Sequence, residues 1–189
     1  MTGRILGLAL ALSAAGSAAA EERAALAAEG KALMQAFGGK LKQELLAAID
    51  EGGPPNAIEV CNIRAPEIAG EVSSGSGWEV ARSSHRLRNP ENAPDPYTAA
   101  AIEAFLAERE AGTPAEDLVR AEIVEEDGGR AFRMVKAIPT AKLCLACHGG
   151  PEVKPETEAK LAELYPEDEA RGFDEGDMRG VFTLRKPLD

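Results

Sequence analysis

Five consecutive residues, Cys144-Leu145-Ala146-Cys147-His148, hold two of the chain's three cysteines and one of its two histidines. Two thiols one helical turn apart, followed at once by an imidazole, are what covalent attachment of a haem requires. The thiols add to the two vinyl groups as thioethers, and the histidine reaches the iron from one side of the ring. The same thiol spacing also occurs in thioredoxin-like redox pairs and in structural disulfides. A redox pair of that kind opens a helix after a central strand, whereas this motif lies late in the chain. The motif therefore reads as the attachment site of one haem c, with His148 as an iron ligand.

The residues leave the second axial ligand open among Cys61, His85, Met34, Met134 and Met178. Cys61 is the odd cysteine, and free cysteine also packs as a small hydrophobe. His85 is the conventional partner for a bis-histidine iron, but it stands among Arg82, Arg86 and Arg88. Those arginines form a run of cations without an anion between Ala81 and Pro90 in an otherwise acidic chain. Arginine pairs carboxylates bidentately, and haem carries two propionates, so one or two of the three are expected to hold them. An exposed strand face offsetting nearby acids is the alternative.

The elements that must position these groups read as follows. Residues 1–20, MTGRILGLALALSAAGSAAA, carry one charge, a short apolar stretch and small residues before Glu21, the pattern of a cleaved secretory leader. The single mature domain is then 21–189, periplasmic or otherwise secreted after cleavage near Ala20, without stable membrane insertion. Apolar residues at three- and four-residue spacing predict a helix from Glu21 to about Asp50, with a possible kink at Gly38-Gly39 and a stop at Gly52-Gly53-Pro54-Pro55. A second helix is expected over 56–71, a strand over 78–87 and a third helix from Pro96 to near Gly112. A hairpin of 119–126 and 131–138 turns at Asp127-Gly128-Gly129. A short helix over 156–164 and a last strand over 180–185 complete an α+β domain, an antiparallel sheet with an N-terminal helical segment packed on it.

Composition narrows the function further. The chain has 189 residues, 32 acidic against 21 basic, and a net charge of −11. An acidic surface repels phosphate backbones, so nucleic-acid binding is disfavoured. Three cysteines and two histidines are too few for a disulfide scaffold or an ordinary multi-ligand zinc site.

Four stretches, AIEVCNIRAPEIA, ARSSHRLRNPENAPDPY, FRMVKAIPTAKLCLACHG and YPEDEARGFDEGDMRGVF, span Ala57 to Phe182. Together they resemble a family of bacterial single-haem domains with a PAS-like fold, long described as a domain of unknown function. Tyr97 stands where a tryptophan is common in that family. The resemblance implies covalent haem at Cys144 and Cys147, His148 on one side of the iron and Cys61 on the other. It also implies free periplasmic proteins or sensing domains, so the partner is a redox or signalling protein. The expected role is electron transfer or redox sensing rather than catalysis. The alternatives are a small haem enzyme of peroxidase or nitrite-reducing type, and a PAS-like ligand-binding module in which haem is structural.

Overall fold

The structure, a computed structural model, describes residues 9–126 and 128–188. The expected leader falls partly outside these residues, as does Asp127 of the expected hairpin turn.

A long helix, α1 (Ala9–Glu59), opens the chain. It runs through Gly38-Gly39 without a break. A side chain at position 38 would meet the Phe182 ring at 3.3 Å, so a glycine there lets helix and sheet approach closely. The break comes at Gly53, whose φ of 74° is open to glycine and strained for other residues. Helix resumes immediately through Pro54 and Pro55, so the expected second helix is the continuation of α1 beyond a kink. It passes through a π-helical turn, Val60–Arg64, and into α2 (Ala65–Ser73).

The remaining elements are β1 (Glu79–Ser83), α3 (Pro96–Glu110), β2 (Val119–Glu126), β3 (Gly129–Pro139), α4 (Leu145–His148), α5 (Pro155–Leu164) and β4 (Met178–Leu188). The four strands make one antiparallel sheet in the order β1-β4-β3-β2. The last strand is longer than expected, because β4 lies between β1 and β3 and is paired on both edges. Strand β1 is shorter than expected. The Ser84 hydroxyl accepts from the Arg86 amide at 3.0 Å and donates to the Arg179 carbonyl at 2.9 Å, which turns the chain out of the sheet. Of the three clustered arginines, only Arg82 therefore lies on a strand.

Alternation along the strands gives the sheet two buried faces. Val80, Phe132, Met134 and Leu184 meet Leu26, Met34, Phe37 and Leu41 of α1 and Ile68 of α2. Trp78 closes this core, its ring 5.7 Å from Phe132 and nearly perpendicular to it. On the other face Val135, Ala137 and Val181 pack on Ala101, Ile102 and Phe105 of α3. Burying each large apolar side chain contributes roughly 1.5–3 kcal/mol. A smaller cluster of Ile58, Leu161 and Tyr165 ties α5 to the kinked end of α1, with Cys147 packed against it. That contact brings the cysteine motif beside the π turn. Among the described residues no helix is long and apolar enough to cross a membrane.

Candidate functional site

Two adjoining chambers lie between the kinked end of α1, strands β1 and β4 and the cysteine motif. Both are bordered by Cys61, Arg82, Arg88, His148 and Arg179. The first, of about 660 Å³ of empty space including its mouth, is lined by α1 side chains with Cys144 and Cys147. The second, of about 610 Å³ on the same measure, is lined by polar groups of β1 and the segment after it, Arg86 included.

Cys61 reaches the chambers from the π turn, where the Ala65 amide donates to the Val60 carbonyl across the wider turn. Single π turns inserted in α-helices often mark functional positions, because they re-aim one side chain without ending the helix. Cys144 and Cys147 sit at and within the short helix α4. The chain turns directly after His148 because Gly149 has no side chain. A Cβ there would lie 2.7 Å from the Leu145 carbonyl oxygen.

His148 is held by its other ring nitrogen. Nδ1 lies 3.0 Å from the Ala170 carbonyl oxygen, which can only accept, so Nδ1 carries the proton and Nε2 is the unprotonated nitrogen. Nε2 meets the Arg88 guanidinium only at 3.5 Å. Burial, joined by the charges of Arg88 and Arg179, pushes the His148 pKa down to about 3, so the imidazole is neutral across physiological pH. Burial likewise pushes the Cys147 thiol up to about 11, against the pull of Arg88 and with Cys61 and Cys144 adding to the rise.

A loop, residues 168–173, straps the histidine down. Its backbone bonds to Leu87, His148 and Gly149: Glu169 donates to Leu87 at 2.8 Å, Phe173 to His148 at 3.0 Å and Gly172 to Gly149 at 2.8 Å. Two of the clustered arginines bind this loop. Arg88 pairs with the buried Asp168 at 3.1 Å and donates to the carbonyls of Cys147 at 2.6 Å and Ala170 at 3.1 Å. Arg86 donates to the carbonyls of Glu169 and Arg171 and covers the Phe173 ring at 4.5 Å. Burial alone would raise the Asp168 carboxyl, but Arg88 and Arg171 together hold it below its ordinary value.

Arg82 and Arg179 differ from them. No side-chain hydrogen bond or ion pair joins either to another described residue, and the Arg179 Nε is enclosed without a partner. Arg82 shares the face of Val80 and lies 5.5 Å from the Phe37 ring. Burial depresses its pKa; Cys61 pulls it back up, and the nearby Arg179 charge adds to the depression.

The other ligand candidates lie elsewhere. Met34 and Met134 are buried in one core and Met178 in the other. His85 is half-buried with its ring edge-on to Phe173, and it lines neither chamber. Sequence reasoning missed Arg179, the Ala170 carbonyl and Asp168. The acidic stretch around Asp168 reads as solvated surface, and no motif marks these three residues. Among the described residues no three His, Cys, Asp or Glu side chains gather closely enough to hold a bare metal ion.

The profile of the Tll0287-like family matches residues 13–187. The chain belongs to the Tll0287-like family. The crystal structure of the cyanobacterial heme-protein Tll0287 has a similar fold, with a TM-score of 0.61 and 24% sequence identity over 85% of this chain and 94% of that one. No curated protein matches the chain.

Proposed function

We propose that this member of the Tll0287-like family is a c-type haem protein. In this reading one haem is bound through Cys144 and Cys147, ligated by His148 and Cys61, and used in electron transfer or redox sensing. One observation carries the reading: the three thiols and the unprotonated Nε2 of a neutral imidazole, drawn from two distant parts of the chain, line one divided cavity. Donors arrayed around a cavity suit a metal that arrives held in a flat ring. The chamber beside the two motif cysteines is apolar, as the ring's thioether edge requires. The related cyanobacterial protein is described as a heme-protein, which agrees.

When bound, the iron of such a group supplies a one-electron couple. The chain's own residues set its conditions. The Ala170 carbonyl fixes the His148 tautomer and makes the imidazole a stronger donor. A Cys61 thiolate pushes electron density to the iron and lowers the potential. With His148 and Cys61 both holding the iron, electron exchange would be favoured over binding of an exogenous substrate, so the partner we propose is a redox or signalling protein. Thioether attachment in turn fits export, with the leader cut near Ala20 and the mature chain periplasmic or secreted. Arg82, Arg86 and Arg88, all bordering the polar chamber, belong to the proposed haem environment.

Replacing Cys61 by Ala tests the ligation. The ferric low-spin spectrum of the mature protein is expected to turn high-spin or to show a different sixth ligand, with the covalent haem retained. An unchanged spectrum in both Cys61→Ala and Cys61→Ser would refute Cys61 as ligand, and His85→Ala would then be examined.

A further inference from the structure

The cavity is amphipathic in a directed way. On one side Leu41, Leu45, Ile49 and Ile58 face Cys144 and Cys147; on the other lie Ser83, Ser84, Asn89 and Asn92. Arg82 and Arg179 border both sides.

Other inward arginines meet the protein's own carboxylates, Arg88 at the cavity itself. Arg133 meets Asp95 and Glu126, Arg185 meets Glu79 and Glu126, and Arg88 meets Asp168. The chain has 32 carboxylate side chains, yet among the described residues none pairs with Arg82 or Arg179. Two guanidiniums left without counter-charge at one cavity repel each other and lose hydration. The depressed pKa of Arg82 is consistent with that cost. An anion from outside the chain removes it, and the planar guanidinium fork fits a carboxylate in bidentate fashion. An inorganic anion would leave the adjoining apolar chamber unfilled, whereas a ring with an apolar edge and two carboxylates fills both.

We infer that Arg82 and Arg179 together clamp the two carboxylates of the bound macrocycle, so that its thioether edge lies against α1 and its acid edge against β1 and β4. This rests on the haem reading above. It divides the clustered arginines: Arg82 joins the clamp with Arg179, which is distant in sequence, while Arg86 and Arg88 hold the 168–173 loop over His148.

The test uses the full mature protein produced with haem maturation, as wild type, Arg82→Met, Arg179→Met, Arg82→Lys and the exposed control Arg130→Met. Covalent haem content, the resonance Raman bands of the propionate groups and the midpoint potential are measured. All variants are expected to load haem through Cys144 and Cys147. Arg82→Met and Arg179→Met should shift the propionate bands and lower the potential, because a positive charge that disfavours ferric iron is gone. Arg82→Lys should recover part of the potential but not the bidentate signature, and Arg130→Met should match wild type. If a Met variant fails to accumulate, Arg82→Gln or Arg179→Gln takes its place. Full haem loading with wild-type bands and potential in the Arg82 and Arg179 variants would overturn the clamp and leave the haem reading intact. A wild-type protein without haem would overturn both.

Discussion

Two pairs of arginines on the same sheet meet opposite fates. Arg133 and Arg185 are cross-strand neighbours on β3 and β4. Their guanidiniums share Glu126, and Asp95 and Glu79 complete the set. The Arg133 ion pairs are nearly closed to solvent on the arginine side, with 5% of that side chain exposed. Arg82 and Arg179 stand toward one end of the sheet, beside the cysteine motif, with no carboxylate partner among the described residues. The chain has acids to spare, so the difference lies in placement. Where the sheet serves only the fold, these cations are neutralised internally; Arg82 and Arg179 at the cavity are not, which fits the clamp proposed above. Arg88 is an intermediate case, because it borders the cavity yet has its own buried acid, Asp168.

Changes in this contrast should be largest where a buried pair is broken. Asp168→Asn leaves Arg88 without its carboxylate and should cost about 3 kcal/mol, read from the midpoint of denaturant unfolding. Because the Asp168 pKa lies below its ordinary value of 3.8, its contribution is complete above that pH. It is lost as the pH falls through the lower folded value. Wild type should therefore lose stability on acidification through this window, and Asp168→Asn should lose less.

Arg133→Met should cost about 2–3 kcal/mol, since two acids lose their buried partner. A neutral result would remove one side of the contrast. Arg82→Met should act in the opposite sense in haem-free protein, raising stability by about 1 kcal/mol, and should destabilise the haem-loaded form. The same sign in both forms would show that the cavity charge is unrelated to a ligand. Glu79→Gln removes an exposed partner of Arg185, whose other partner remains, and should change stability by less than about 0.5 kcal/mol.

The candidate residues that stand together in the chain were the legible ones. Cys144, Cys147 and His148 announce themselves by spacing, and the β2–β3 hairpin by alternation on either side of its glycines. From the residues alone Cys61 was visible only as an odd cysteine, and its proposed role came from the family resemblance, because the π turn that carries it leaves no mark on helical periodicity. The stop expected at Gly52 to Pro55 is a kink, since packing of Ile58 on Leu161 and Tyr165 favours continuing the helix beyond it. Arg82, Arg86 and Arg88 looked alike in sequence. The turn at Ser84 separates them, leaving one on the strand and sending two to the loop. Arg179 was illegible because its meaning depends on β4 lying beside β1, a long-range pairing that no local pattern encodes.

The central claim is covalent haem in the cavity bordered by Cys61, Cys144, Cys147 and His148. Intact mass of the mature protein, made with haem maturation, tests it most directly. The mature protein should exceed the polypeptide mass by one haem, hold colour that acid–acetone does not extract, and lose that added mass in the Cys144→Ala, Cys147→Ala double variant. A polypeptide of unmodified mass, or one whose haem extracts freely, would contradict it.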